Sequence, residues 1–188
     1  MKLCLVRHGE TAWSLSGQHT GTTDLALTAR GEVEVRALAP RLRNLSFTHV
    51  LVSPRLRARQ TCALAGFGAA SQIEADLSEW NYGHYEGLRS VDIRRDVPGW
   101  DIWRDGCPAG ESPDDISARA DRLIARLDQL QGTVLLFSHG QFGAPLAARW
   151  IGLAVAEGQH FALHTASMSL LGVDPHHPDR RTIELWNA

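Results

Sequence analysis

Two stretches of the chain follow the same plan: residues 4–9 read CLVRHG, and residues 135–140 read LLFSHG. Each is an apolar run that ends in a polar residue, a histidine and a glycine. Short continuous apolar runs are typical of strands that are buried on both faces. The pattern therefore predicts two buried strands that place His8 and His139 just beyond their carboxyl ends.

The apolar runs alternate with segments of helical periodicity along the whole chain. Strands are predicted at 2–6, 49–53, 71–75, 133–137, 167–173 and 181–186, and helices at 28–44, 54–66, 112–131 and 141–151. Alternating strands and helices favour an α/β fold, here a three-layer sandwich with a mostly parallel central sheet and helices on both faces. The length of 188 residues suits one domain, 1–188.

The composition is that of a globular protein without a global charge signal. Hydrophobic residues make up 44%, charged residues 21%, and the net charge is -2. This balance argues against nucleic acid or an anionic membrane as a partner. Cys4, Cys62 and Cys107 share no short spacing, so neither a disulfide framework nor a zinc ribbon is expected. With no apolar run long enough for a membrane span or a signal peptide, the prediction is a cytoplasmic protein.

The two strand ends are a candidate ligand site, because open α/β sheets bind ligands beyond the carboxyl ends of their strands. Gly9 and Gly140 allow the backbone to turn tightly and to come close to a ligand. Arg7 directly precedes His8. Its guanidinium donors match the oxygens of a phosphate group.

A further source of positive charge is the helix after the 49–53 strand, which begins PRLRARQT. We expect Arg57 to point inward, and Arg55 and Arg59 to face solvent. Two arginines and two histidines at one sheet edge would form a local site for a dianion. The cations would also favour neutral imidazole, which leaves one histidine able to act as a nucleophile.

A general acid is also needed to protonate a leaving oxygen. Glu79, in LSEWNYGHYEG, is a candidate beside Trp80, where apolar surroundings would raise the pKa of its carboxyl group. Glu10, Asp24 and Glu86 are alternatives that the sequence leaves open.

Taken together, these segments resemble the phosphoglycerate mutase-like branch of the histidine phosphatase superfamily over nearly the whole chain. The motifs that carry the resemblance are RHGETAW (7–13), TGTTDLALTARG (20–31), SPRLRARQT (53–61), LSEWNYGHYEG (77–87) and SHG (138–140). SGQHTGTTDLALT (16–28) and DIWRDGCPAGES (101–112) are similar to a subgroup of sedoheptulose-1,7-bisphosphatases and mycobacterial-type acid phosphatases.

The resemblance implies a phosphoglycerate mutase-like fold and a catalytic set. His8 would be the nucleophile and form a phosphohistidine, while Arg7, Arg57 and His139 would bind the phosphoryl group. Glu79 would act first as general acid and then as base for the attacking water. The family uses no metal, and no cofactor is expected.

The resemblance also implies a set of substrate-binding residues: Ser14, Thr20, Gly21, Tyr82, Gly140 and Arg104. The family usually has asparagine where this chain has Ser14. A serine hydroxyl reaches less far than a carboxamide, which weakens the expectation that this position holds phosphate.

The segment at about 80–115 is the candidate for a substrate cap. Its tryptophans, Trp80, Trp100 and Trp103, could close over a sugar, with Arg104 on a second phosphate. Arg89, Arg94 and Arg95 are alternatives for that contact. The other interpretation is a packed excursion with solvated arginines.

These observations predict a metal-independent phosphatase that acts on a small phosphomonoester, a sugar phosphate or bisphosphate. The expected partner is that small phosphorylated metabolite, with no nucleic acid and no membrane, and a homodimer is compatible with the sequence.

A phosphoglycerate mutase is the alternative enzyme, although the mutases carry an insertion after the acid motif that this chain lacks. A phospholigand-binding protein without turnover is the second alternative. His160 with His164, and the adjacent His176 and His177, could mimic metal ligands, but their contexts favour structural roles.

Overall fold

The computed structural model describes residues 1–188 and contains one six-stranded sheet in the order β3-β2-β4-β1-β5-β6. The strands are β1 (Lys2–Arg7), β2 (His49–Val52), β3 (Ser71–Ile73), β4 (Thr133–Ser138), β5 (Met168–Asp174) and β6 (His177–Leu185). The first four in chain order pair in parallel, while β5 is antiparallel to both β1 and β6. The predicted mostly parallel sheet is confirmed.

Strands β1 and β4 are direct neighbours at the centre of the sheet. Their register pairs Arg7 with Ser138, and the backbone N–H of His8 donates to the Ser138 carbonyl at 3.0 Å. Both strands are buried on both faces, as their continuous apolar sequences predict. The register therefore brings His8 and His139 out of the sheet side by side.

Helices cover both faces of the sheet. They are α1 (Ala12–Ser16), α2 (Ala29–Arg43), α3 (Leu56–Leu64), α4 (Ser90–Asp96), α5 (Ile102–Asp105), α6 (Pro113–Leu127) and α7 (Gly140–Trp150). Because side chains alternate along a strand, Leu3 and Leu5 of β1 join the core with α6 and α7. Cys4 and Val6 join the core with α2 and α3 on the other face. The three-layer arrangement is confirmed.

Two segments differ from the prediction. β6 begins at His177 rather than at 181, because Asp174 pairs with His177 and extends the β5–β6 hairpin to its turn. The 80–115 segment, for which no helix was predicted, contains α4 and α5. Trp80 and Trp100 are buried in the core on the α6 and α7 face, so both of them are packing residues.

The start of α2 packs tightly against the loop that follows β1. Thr28 caps the helix, and its hydroxyl accepts a hydrogen bond from the Gly31 N–H at 3.0 Å. The backbone N–H of Thr28 donates to the Glu10 carbonyl at 2.9 Å. A Cβ on Gly31 would lie 2.3 Å from that same carbonyl oxygen. Glycine is therefore required at position 31 by close approach of two backbones.

No helix in the chain combines the length and apolar character of a membrane span.

We predict that Gly31→Ala destabilises the protein, although alanine is ordinarily the better helix former by about 1 kcal/mol. The added methyl group forces the α2 backbone away from Glu10, at a cost of about 1–3 kcal/mol in the free energy of unfolding. Denaturant unfolding monitored by circular dichroism measures this change. The control is Val33→Ala, two residues along the same helix at a position 64% exposed, where a change within about 0.5 kcal/mol is expected. Equal stability of Gly31→Ala and wild type would contradict the close-packing argument.

Candidate active site

A cavity of about 310 Å³ opens at the carboxyl ends of β1 and β4. Arg7, His8 and Glu79 of the predicted catalytic set line it directly. Arg57 and His139 lie behind its wall, where both are 0% exposed. The structure therefore brings these residues, which come from four separate segments of the chain, to one edge of the sheet.

His8 is held as a neutral imidazole with one free nitrogen. Its Nδ1 lies 2.7 Å from the Gly9 carbonyl oxygen, and a carbonyl can only accept, so Nδ1 carries the proton. The other nitrogen, Nε2, then keeps its lone pair. Burial, followed by the positive charges of Arg57 and Arg7, lowers the pKa of His8 well below its ordinary value. A neutral, oriented imidazole of this kind can act as a nucleophile.

His139 stands beside His8, with their ring centroids 5.2 Å apart. Its Nε2 lies 2.7 Å from the Ser53 hydroxyl, which also accepts the Arg55 N–H at 3.3 Å. We assign the imidazole proton to Nδ1, the tautomer in which the Ser53 hydroxyl donates its hydrogen to Nε2. Burial and the charge of Arg57 lower the pKa of His139 well below the ordinary value. His139 therefore presents a neutral N–H donor.

Arg57 holds the loop at 20–23 as well as supplying charge. Its terminal nitrogens donate to the carbonyl oxygens of Thr20, Gly21 and Thr23 at 2.7, 3.2 and 3.1 Å. Its inward orientation agrees with the prediction. Arg59 is exposed, as expected, whereas Arg55 is only partly exposed.

Four buried nitrogen atoms around the cavity have no hydrogen-bond partner within the chain. They are Arg7 Nε, Arg57 Nε, His139 Nδ1 and Gln141 Nε2. Buried polar atoms in folded proteins are nearly always paired, so a cluster of unpaired donors needs an explanation. With the proton of His139 on Nδ1, all four are N–H donors. A group of N–H donors that includes two guanidinium groups can bind an anion.

Glu79 is the carboxylate of this site. It is 8% exposed, and its two oxygens accept the N–H groups of Trp80 and Gln141 at 2.9 and 3.0 Å. Burial raises the pKa of Glu79, while these two hydrogen bonds and the charges of Arg57 and Arg7 oppose the rise. A carboxyl group with a raised pKa is suited to donate a proton at mildly acidic pH.

The three alternative acids have structural roles elsewhere. Glu10 accepts the Thr28 hydroxyl at 2.7 Å, and Asp24 accepts the Leu56 N–H at 2.6 Å. Glu86 accepts the N–H groups of the 20–23 loop, including Gly21 at 3.0 Å. None of the three lines the cavity, which leaves Glu79 as its only acidic residue.

A partly buried ion pair fixes the segment that carries Glu79. The guanidinium of Arg119 binds both carboxylate oxygens of Glu111 at 2.8 and 2.9 Å. Its Nη1 also donates to the carbonyl oxygens of Asp76 and Ser78 at 3.0 and 2.6 Å. Glu111 in turn accepts the Asn81 N–H at 2.8 Å. Contacts on both sides of Glu79 thus hold its backbone.

The predicted substrate-binding residues divide into two groups. Ser14, Thr20, Tyr82 and Gly140 line the cavity, whereas Gly21 does not. The Ser14 hydroxyl donates to the Thr11 carbonyl at 3.0 Å and accepts the Thr11 N–H at 2.8 Å, so it caps α1. The Gly21 prediction is corrected for a physical reason. Its N–H and carbonyl are both used to hold the loop, and a Cβ there would lie 2.5 Å from the Trp80 carbonyl oxygen.

Arg104 does not lie in this cavity, which corrects the expectation that it contacts substrate. Its side chain is 68% exposed, and its guanidinium pairs with Asp105 at 2.7 Å. It also donates to the Gly99 carbonyl at 2.6 Å. The reason is the start of α5, where Asp101 caps the helix and Trp103 reaches the cavity. The next residue is turned about 100° around the helix axis and faces solvent.

Trp103 lines the cavity, as the substrate-cap interpretation expects. Several lining residues were not predicted: Trp13, Gln18, His19, Gln141, Gln159 and Phe161. Trp13 and Gln18 lie inside the motifs quoted above, and Gln141 directly follows SHG. Their positions in or beside these motifs could have identified them as site residues. Gln159 and Phe161 come from a 3₁₀ segment, Val155–His160, and the residue after it. No local pattern marks that segment as part of the site.

The histidines outside the site are not arranged as metal ligands. No group of three or more histidine, cysteine or acidic side chains in the chain is placed to hold a metal ion. His160 lies 3.8 Å from Glu157, and His164 Nδ1 lies 3.0 Å from the Asn187 side-chain nitrogen.

His19 allows a test of how the site affects stability. Burial lowers the pKa of His19 to about 4 in the folded protein, against about 6.5 when unfolded. Below pH 6.5 unfolding therefore takes up a proton, and the free energy of unfolding falls as the pH falls towards 4. His19→Phe keeps a ring for stacking on Tyr82 and removes this titration. We predict a shallower decline between pH 6.5 and 4, with a difference of up to about 3 kcal/mol at pH 4. Denaturant unfolding over this range measures it, and parallel curves would contradict the prediction.

Comparison with known proteins agrees with this geometry. The model of the histidine phosphatase superfamily (branch 1) matches residues 3–188. An acid phosphatase of Mycobacterium tuberculosis is 41% identical over 177 residues, which cover 92% of this chain and 87% of that protein. Sedoheptulose 1,7-bisphosphatase of Saccharomyces cerevisiae is 38% identical over 184 residues, covering 80% of this chain and 68% of the yeast protein.

A solved structure supports the same assignment. The product of an open reading frame of Mycobacterium tuberculosis superposes with a TM-score of 0.92 at 39% identity, over 99% of this chain and 96% of that one. The family match spans nearly the whole sequence and includes all five motifs that carry the resemblance. The chain therefore belongs to the histidine phosphatase superfamily, in its branch 1.

Proposed function

We propose that this protein is a phosphoric monoester hydrolase that acts on small phosphorylated metabolites through a phosphohistidine on His8, without a metal. The observation that carries the proposal is the set of four unpaired buried donors around an imidazole whose Nε2 is free. A phosphoryl group would accept hydrogen bonds from those donors while its phosphorus atom faces His8. Because both arginines remain charged, they would stabilise the charge that spreads over the transferring oxygens.

In the first step, His8 Nε2 attacks the phosphorus atom and the bond from phosphorus to the ester oxygen breaks. The leaving oxygen takes a proton from the Glu79 carboxyl group. The proton on Nδ1 stays hydrogen-bonded to the Gly9 carbonyl, which holds the ring in position as it gains positive charge. The products are a phosphohistidine, the free alcohol and a Glu79 carboxylate.

In the second step, water attacks the phosphorus atom and the bond from phosphorus to Nε2 breaks. The Glu79 carboxylate takes the proton from that water, which restores the acid for the next cycle. Inorganic phosphate leaves, and His8 returns to its neutral form. Its lowered pKa favours this return, since burial and two nearby cations oppose an imidazolium.

The names of the relatives indicate a phosphomonoester as the class of substrate. Relatives named as an acid phosphatase and as a sedoheptulose 1,7-bisphosphatase cover most of the chain. We infer a sugar phosphate or bisphosphate, or a metabolite of similar size, because the cavity of about 310 Å³ is at the small end for ligand sites.

The first prediction concerns the nucleophile. Phosphate release from p-nitrophenyl phosphate and from a panel of sugar phosphates, with chelator present, should be lost in His8→Ala by about 10⁴-fold or more. The matched control is His176→Ala, an exposed histidine in the β5–β6 turn, which should retain wild-type turnover. Turnover by His8→Ala at the wild-type rate would contradict the proposal. Activity on phosphoglycerates without phosphate release would favour a mutase, and binding without turnover a phospholigand-binding protein.

The second prediction concerns the acid. Glu79 must be protonated in the first step and its pKa is raised, so activity should fall with rising pH from an optimum on the acid side. The acid limb, set by protonation of His8, should lie well below pH 6.5. Glu79→Gln should lower kcat/KM, which reports the first step, by about 10²–10⁴-fold on sugar phosphates and far less on p-nitrophenyl phosphate, whose leaving group needs no proton.

The pH profiles of wild type and Glu79→Gln, compared on the same substrate, separate the titration of Glu79 from that of the substrate. The ionisation of the substrate is the same for both enzymes. The limb that falls with rising pH should be present in wild type and reduced in Glu79→Gln. Equal losses on the two substrates, or an unchanged limb, would mean that another group supplies the proton.

A further inference from the structure

The part of the cavity beyond the phosphoryl site is lined by neutral polar groups. The carboxamides of Gln18 and Gln159 line it. Gln18 accepts the Ser16 hydroxyl at 2.6 Å and donates to the Gly87 carbonyl at 2.8 Å, which holds its side chain in place. Carboxamides both donate and accept hydrogen bonds, and they bring no charge. Such walls match hydroxyl groups on a bound molecule.

Aromatic side chains form much of the remaining wall. They are Trp13, Tyr82, Trp103 and Phe161. Tyr82 stacks on His19 with ring centroids 4.5 Å apart, and Trp103 packs against Trp80 at 6.1 Å. These supported rings offer rigid apolar faces, which suit the C–H faces of a sugar ring.

No second cation faces this space. Arg7 is the only arginine that lines the cavity, and no lysine does. His19 also lines it, but burial lowers its pKa to about 4, so it is neutral at mildly acidic pH and above. Within the cavity itself, positive charge is therefore confined to the phosphoryl end.

The arginines of the 80–115 segment are occupied by other groups. Arg89 binds Asp92 through two hydrogen bonds at 2.6 and 3.0 Å, and Arg104 binds Asp105. Arg94 donates to the Trp100 carbonyl at 2.8 Å. A second phosphate dianion in the outer cavity would lose its hydration without gaining a charged partner, which is unfavourable.

We propose that the cavity selects monophosphates whose remaining part is uncharged and hydroxylated, such as sugar monophosphates, and discriminates against bisphosphates. This inference rests on the proposed function, since it assigns the outer part of the same site. The yeast relative is named for a bisphosphate substrate, whereas we infer a preference for monophosphates in this protein. Gln159 is a specificity-determining residue in this assignment, because it is exposed, lines the cavity and is neutral.

The test compares kcat/KM for fructose 6-phosphate and fructose 1,6-bisphosphate, two substrates that share one sugar. Wild type should prefer the monophosphate by about tenfold or more. Gln159→Arg places a cation at the outer wall and should raise the bisphosphate-to-monophosphate ratio by about tenfold, through a charge-assisted hydrogen bond to the second phosphate. The control is Gln131→Arg, the same change at an exposed position before β4, at the opposite end of the sheet. It should leave the ratio unchanged.

The outcomes separate this inference from the proposed function. Equal or faster turnover of the bisphosphate by wild type overturns the inference and leaves the phosphatase assignment intact. A ratio that responds equally to Gln159→Arg and Gln131→Arg overturns the role of the neutral wall. If no phosphomonoester is hydrolysed, the proposed function fails. Calorimetric titration of His8→Ala with the same two sugars then tests the selection, and tighter binding of the bisphosphate overturns it.

Discussion

Strands β1 and β4 lie side by side and parallel, and their hydrogen bonding continues one residue further, from the His8 N–H to the Ser138 carbonyl. The residues that follow two neighbouring parallel strands leave the sheet at the same edge. This register therefore places the rings of His8 and His139 side by side, with centroids 5.2 Å apart. A slip of one residue would turn the apolar side chains of β1 to the wrong faces. The same pairing that buries the core therefore also assembles the site.

Burying cations and imidazoles together at one edge of the sheet is unfavourable unless each group is compensated, either by hydrogen-bond acceptors or by remaining neutral. Arg57 is compensated by the carbonyl oxygens of the 20–23 loop, so the arginine that supplies charge also orders the loop. The histidines are compensated by remaining neutral, as their lowered pKa values indicate. What remains is a set of buried N–H donors around the cavity without partners in the chain, and this set is the basis for proposing an anion as ligand.

The acid depends on packing that begins far from the histidines. Arg119 and Glu111 form a partly buried ion pair that fixes the backbone on both sides of Glu79. Trp80 and Trp100 anchor the same region in the core. The 80–115 segment is consequently a packed part of the fold that contributes Tyr82 and Trp103 to the cavity wall, and its exposed arginines serve their own local ion pairs.

Local information in the sequence determined the strands, the helix starts and the candidates for the reacting groups. Apolar periodicity and capping residues act over a few positions, and the motifs around His8, Arg57 and His139 are contiguous. The choice of Glu79 over three other acids, the outward direction of Arg104 and the wall formed near Gln159 were decided only by the tertiary structure. Each depends on contacts between residues far apart in the chain, and such contacts leave no periodic signal in the segments that make them.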